Sequence, residues 1–102
     1  MTPEEFEEIG YDEYRQAAAD AAREAGMDEE AQCLDTLFVG RPGTASHAFA
    51  ETVDDIHDRV NREKLSGMSR DRVLHGLGTA VWKQWRARLT TSRQIEIVSP
   101  DP

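Results

Sequence analysis

The amino-acid sequence predicts an all-α protein, a small bundle of four to five helices with a short extended C-terminal tail. Two observations support this fold class. Apolar residues recur every three or four positions over most of the 102 residues, as they do on one face of an α-helix. The segments with this spacing are separated by short turns that contain glycine, which is typical of neighbouring antiparallel helices. Residues 1–93 are therefore predicted to form the helical bundle domain, and residues 94–102 the extended tail.

Local signals delimit the first two helices. Thr2 followed by Pro3 is typical of an N-cap and a first helical position, so a short helix is expected to run to Ile9. Gly10 is expected to separate it from a second helix that ends near Ala25, and a single helix through Gly10 is the alternative. The second helix carries a stripe of alanines, which predicts a close approach by another helix.

Two further helices are predicted in the middle of the chain. Asp28 is expected to cap the third helix, and a glycine- and proline-containing turn at residues 40–43 ends it. The fourth helix is expected to begin at Thr44 or Ser46 and to end at Leu65.

The segment from Ser69 to Leu89 is the main amphipathic helix of the chain. It contains both tryptophans, and its apolar face is expected to form the centre of the core. That face consists of Val73, Leu74, Leu77, Val81, Trp85 and Leu89. Gly76 and Gly78 favour either a close contact with the alanine stripe or a helix break that Thr79 caps.

Two residues of this helix suggest contacts beyond it. Trp82 lies at the boundary of the apolar face and is predicted to face a partner. Arg88 lies within the apolar stripe. We expect it to pair with a carboxylate of the acidic N-terminal half or with a second chain, because an unpaired buried guanidinium is unfavourable.

The segment from Gln94 to Val98 alternates in polarity and predicts a strand-like tail. A single strand needs a partner for its backbone groups. Three arrangements are open: the tail pairs with its copy in a homodimer, it adds to the edge of a partner's sheet, or it packs on the bundle as irregular coil.

The net charge of −8 is unevenly distributed along the chain. Residues 1–65 hold 17 acidic and 6 basic residues, whereas residues 66–102 hold 3 acidic and 6 basic residues. The single cysteine, Cys33, excludes an internal disulfide and suits a reducing compartment. No apolar run approaches the ~18 residues of a membrane span, and the acidic N-terminus is unlike a signal peptide. A cytoplasmic protein without membrane association is therefore expected.

The candidates for chemistry are acidic and histidine side chains. His47, Glu51, Asp54 and Asp58 would line one stripe of the fourth helix with oxygen-rich ligands suited to Mg²⁺, although a solvated acidic face is the simpler interpretation. His57-Asp58 resembles the dipeptide of HD-type metal phosphohydrolases, but the chain is too short for that fold.

A second resemblance involves two predicted helices. Glu29-Glu30-x-x-Cys33 and Glu51-x-x-Asp54 resemble the EExxE and ExxD signature of the MazG-like all-α nucleotide pyrophosphatases. In that family the acids of two helices hold magnesium, so the resemblance implies a degenerate, metal-dependent nucleotide pyrophosphatase in which Cys33 replaces one ligand. The residues themselves predict no catalytic, cofactor-binding or metal site, and therefore no enzyme.

The interpretation that the sequence favours is a small acidic, non-enzymatic interaction protein: a regulator, adaptor or inhibitor that binds a basic protein partner. Carboxylates a few ångström apart on a helix can also imitate a phosphate backbone. The predicted partner-binding residues are Glu51, Asp54, Asp55, Asp58, Trp82, Arg86 and Arg88. The alternative is a nucleic-acid-associated regulator that uses the basic segment from Trp82 to Arg93, with arginines on phosphates and an indole on a base.

Overall fold

The computed structural model describes residues 1–37 and 43–98, and of residue 44 and residues 91–98 only the backbone. Helix α1 (Pro3–Glu7) begins with a capping box. The hydroxyl of Thr2 accepts a hydrogen bond from the Glu5 backbone N–H, and the Glu5 carboxylate accepts one from the Thr2 N–H, each at 3.1 Å. The predicted start of this helix is confirmed, although it ends at Glu7 rather than Ile9.

Helices α2 (Tyr11–Glu24), α3 (Asp28–Asp35) and α4 (Thr44–Arg59) follow. Gly10 is the N-cap of α2, so the first two helices are separate. Gly26 has a φ of 80°, which allows the tight turn into α3. The N-cap of α3 is Met27 rather than Asp28. The predicted turn at residues 40–43 lies mostly outside the described residues.

Helix α4 ends earlier than predicted. The expected limit was Leu65, but the chain leaves α4 at Val60 and forms a separate 3₁₀ helix at Arg62–Leu65. Arg62 explains this ending, because its guanidinium Nη1 donates to the carbonyl oxygens of His57 and Val60, both at 2.9 Å. The carbonyls at the end of a helix need such donors, and here a side chain from the next turn supplies them.

Helix α5 (Arg70–Val98) is continuous through both internal glycines, so the predicted alternative of a break is wrong. The hydroxyl of Ser69 caps its first turn, as expected. The predicted close helix contact is confirmed at Gly78, where an added Cβ would lie 2.4 Å from the carbonyl oxygen of Ala17 on α2. Gly76 is exposed and has open space around it.

The predicted strand-like run at residues 94–98 is instead the last part of α5, which crosses the expected boundary between bundle and tail. Extending a formed helix satisfies each new N–H within the chain, whereas a single strand leaves its backbone groups unpaired. Residues 99–102, the rest of the predicted extended tail, lie outside the described residues.

The core forms where α5 packs between α2 and α4. Leu77 and Trp85 are 9% and 1% exposed, which confirms the predicted apolar face. The indole N–H of Trp85 donates to the carbonyl oxygen of Ala45 at 3.0 Å, so the beginning of α4 lies beside the C-terminal half of α5. The largest fully buried side chains are Trp85, Tyr14, Phe6, Phe49, Leu34, Val81 and Thr52.

Candidate interaction surface

The predicted acidic residues of α4 lie on one side of the helix, but this chain's own side chains already contact most of them. His47 Nε2 lies 2.9 Å from a carboxylate oxygen of Glu51. The hydroxyl of Tyr11 donates to Asp54 at 2.6 Å, and this hydrogen bond raises the pKa of Tyr11. Asp58 is exposed, and within the described residues it makes no ion pair or side-chain hydrogen bond.

Arg88 pairs with carboxylates of the N-terminal half, as the sequence predicted. Its Nη2 contacts Asp55, and its Nη1 lies 4.0 Å from a carboxylate oxygen of Glu51. The side chain is 28% exposed, so this group lies between the core and solvent. The contact connects α5 to α4, and a partner could use the Asp55 carboxylate fully only by opening the pair.

Trp82 is 5% exposed, so the predicted boundary position is wrong. Its indole N–H donates to Glu30 on α3 at 2.8 Å. The Nε of Arg86 lies 3.2 Å from the other carboxylate oxygen of Glu30, and the guanidinium lies 5.8 Å from the Trp82 ring centroid. A covered indole cannot stack on a base, and a paired Arg86 is less available to a phosphate. The nucleic-acid alternative thus loses two of its predicted contacts.

The acids of the MazG-like resemblance do not converge. Glu30 contacts Trp82 on α5, Asp54 contacts Tyr11, and Glu51 contacts His47. Among the described residues, no group of three or more histidine, cysteine, aspartate or glutamate side chains could hold a metal ion. The geometry therefore offers no assembled magnesium site in this part of the chain, either at the signature or along the α4 stripe.

His57 is a boundary histidine, as predicted, and it fixes α1 to the bundle. Its ring stacks on Phe6 with centroids 4.3 Å apart, and its Nδ1 lies 2.7 Å from the hydroxyl of Tyr14. Burial raises the pKa of Tyr14 above its ordinary range. The Nε2 of His57 lies 3.7 Å from a carboxylate oxygen of Glu7, and hydrogen bonds from Arg62 lower the pKa of Glu7. These contacts give His57 a structural role, and no catalytic role is needed to explain its position.

Most of the described arginines pair with carboxylates of the chain. Among the side chains that stay unpaired, acids outnumber bases. The paired arginines are Arg15, Arg23, Arg62, Arg70, Arg86 and Arg88. Seven exposed carboxylates of the described part make no ion pair or side-chain hydrogen bond, and we call them the free carboxylates: Glu4, Glu8, Asp28, Glu29, Asp58, Glu63 and Asp71. Four described basic side chains are equally unpaired, namely Arg59, Lys64, Arg72 and Lys83.

A groove of about 290 Å³ lies between α2 and α5, and we call it the α2–α5 groove. Its lining consists of Glu13, Gln16, Ala17, Asp20, Glu24, Asp71, Leu74 and His75. Most of its exposed lining is apolar. This groove is not among the features predicted from the sequence, although the sequence carries a sign of it. The four polar residues that α2 contributes are spaced by three or four positions and therefore share one helix face.

The carboxylates of the groove differ in their partners. Two of them pair with arginines outside the lining, Glu13 with Arg70 and Asp20 with Arg23. Of the described side chains, Glu24 pairs with His75 alone, at 3.2 Å, and Asp71 is one of the free carboxylates. No lysine or arginine of the described part of the chain lines the groove. Its potential is therefore negative, with two carboxylates that lack a permanent cation.

Comparisons with protein-family models, curated proteins and solved structures find no match to this chain. Within the described residues, no helix is both long and apolar enough to cross a membrane.

Proposed function

We propose that this chain is a non-enzymatic helical interaction protein, a regulator, adaptor or inhibitor that binds a basic protein partner through its acidic surface. The observation that carries this proposal is the distribution of ion pairs. Six arginines are engaged by the chain's own carboxylates, and seven free carboxylates remain against four free basic side chains in the described part.

The paired groups support the same sign of charge. Arg23 contacts both Asp20 and Asp35, and Arg88 contacts both Glu51 and Asp55. In each case two carboxylates share one cation, so the group as a whole keeps a negative charge. The exposed field of the described residues is consequently negative. Such a field accelerates encounter with a positively charged partner and repels nucleic acid at long range.

The location and assembly of the protein are part of this proposal. A cytoplasmic location agrees with the single cysteine, which favours a reducing compartment. Self-association through the C-terminal segment stays a prediction, but residues 94–98 are helical, so pairing of two strands there is not its mechanism.

Affinity capture from a lysate of the source cells tests the proposal. The bait is the full chain, and a matched bait carries the substitutions Glu4→Gln, Asp58→Asn and Asp71→Asn at three free carboxylates. We expect one basic protein that is retained at low salt, released at high salt and retained less by the substituted bait. The captured protein is then purified and its direct binding is measured after nuclease treatment. Recovery of nucleic acid alone, or of no protein that rebinds, would contradict the proposal.

A further inference from the structure

We propose that the α2–α5 groove is the docking site of the basic partner and takes an arginine- or lysine-bearing segment of that protein. This inference rests on the proposed function and narrows it from the acidic surface as a whole to one groove.

The shape of the groove suits a long cationic side chain. Ala17 and Leu74 are half-buried and supply an apolar wall, along which the methylene stem of an arginine or lysine can lie. Its volume of about 290 Å³ is at the lower limit of pockets that hold small molecules, which are roughly 300–1,000 Å³. One or two side chains of a partner fill such a space better than a cofactor does.

The backbone contact at Gly78 makes this wall rigid. Gly78 is buried, and it lies so close to Ala17 that an added Cβ would be 2.4 Å from the Ala17 carbonyl oxygen. A wall that is already fixed before binding lowers the conformational entropy that this chain loses when a partner docks.

The charges around the groove select the occupant. Among the described residues, Glu24 and Asp71 face it without a lysine or arginine partner, and the side chain of Gln16 makes no hydrogen bond. The pair of Asp20 with Arg23 is 69% and 49% exposed. Exposed pairs contribute little to stability, so a partner's guanidinium can replace Arg23 there without disturbing the fold.

A metal ion is a poorer occupant. The carboxylates of the groove stand along two helices, and no group of three or more possible ligands in the described residues could hold a metal. Carboxylates spread beside an apolar wall fit an extended organic cation, and a guanidinium can also donate to two of them at once.

The test uses a short amidated peptide of arginine, leucine and alanine, with a peptide that has glutamine in place of arginine as control. Binding to the full chain is measured by calorimetry at about 50 mM salt, where charge interactions are only partly screened. The groove variant combines Glu24→Gln with Asp71→Asn. The matched variant combines Glu29→Gln with Asp28→Asn, which removes the same charge from free carboxylates in the first turn of α3.

We expect the groove variant to bind the arginine peptide about tenfold more weakly and the matched variant to change binding less than about twofold. Amide chemical-shift changes on titration should centre on α2 and the first turns of α5. Equal weakening in both variants, or shift changes elsewhere, would overturn the docking site and leave the proposed function intact. Absence of arginine-dependent binding by the unsubstituted chain would overturn both. Equal binding of spermidine and the peptide would identify a polyamine site and overturn the protein-docking inference.

Discussion

The replacement of Gly78 by alanine tests the packing of α2 against α5. A Cβ at this position would lie 2.4 Å from the carbonyl oxygen, 2.5 Å from the carbonyl carbon and 2.7 Å from the Cβ of Ala17. Ordinary contacts between carbon atoms are about 3.5–4.0 Å, so the two helices must separate by roughly 1 Å. Because two of the three contacted atoms belong to the backbone, no rotamer change relieves the contact.

Two effects oppose each other in this variant. Alanine is favoured over glycine in a helix interior by about 1 kcal/mol. Overpacking costs about 1–3 kcal/mol, and a gap of even ~1 Å also forfeits part of the dispersion energy along the helix contact. We therefore expect Gly78→Ala to lower the free energy of unfolding by a net ~1–2 kcal/mol. For a domain of this size, that corresponds to a fall in Tm of about 4–16 °C.

Gly76→Ala is the matched control, because the position is exposed in the same helix and nothing lies within 4 Å of an added Cβ. At this position only the preference of alanine over glycine in a helix changes the stability, so we expect the free energy of unfolding to rise by about 0.5–1 kcal/mol. Urea unfolding followed by far-UV circular dichroism and tryptophan fluorescence measures both variants. If Gly78→Ala stabilises as much as Gly76→Ala, the helices do not touch at this point and the reasoning is refuted.

Three further predictions concern the core, the Arg88 pair and acid stability. Leu77→Ala should destabilise by about 2–5 kcal/mol because Leu77 is 9% exposed, and an unchanged unfolding midpoint in urea would show that the core is misassigned. Arg88→Met should cost about 1 kcal/mol by leaving its carboxylates unpaired, and it should be non-additive with Asp55→Asn in a double-mutant cycle; strict additivity would exclude their coupling. Arg62 holds the pKa of Glu7 below its ordinary value of 4.5, so the stability from this pair is present above pH 4.5 and is lost as the pH falls below it. Arg62→Gln should therefore weaken the acid dependence of the unfolding free energy, and an identical pH profile would argue against the pair.

Features that depend only on residues within one helix were predictable from the sequence. The capping box at Thr2 needs only the next three residues, and the apolar face of α5 needs only the helical period. The contact of Gly78 with an alanine of α2 was also predictable, since two helices can approach closely only where both faces carry small residues.

Features that depend on distant residues were not predictable in the same way. Trp82 is buried and its indole N–H donates to Glu30 on α3, and a helical wheel of α5 alone contains no information about α3. Arg62 binds the carbonyl oxygens at the end of α4. The spacing of apolar residues along the sequence gives no sign of this contact, so the end of the helix was not predictable from it. The α4 acids were expected to face a partner, but whether Asp55 is free or paired depends on where Arg88 lies in the folded chain.

The α2–α5 groove combines both kinds of information. The spacing of its polar residues on α2 can be read from the sequence, whereas the opposing wall, with Asp71 and Leu74, follows only from how α5 crosses α2. The sequence therefore predicts an acidic surface in general, and the proposed docking site on it depends on the arrangement of the helices.

The most direct test of the central claim is the salt dependence of binding between the full chain and its purified, captured partner. If free carboxylates bind a basic protein, raising the salt from about 50 to 300 mM should weaken the complex by about tenfold or more in calorimetry, because exposed charges are screened over a shorter distance. Neutralising Glu24 and Asp71 should reduce that salt dependence. A dissociation constant that does not change with salt would contradict the account. So would an affinity that increases when the carboxylates are neutralised.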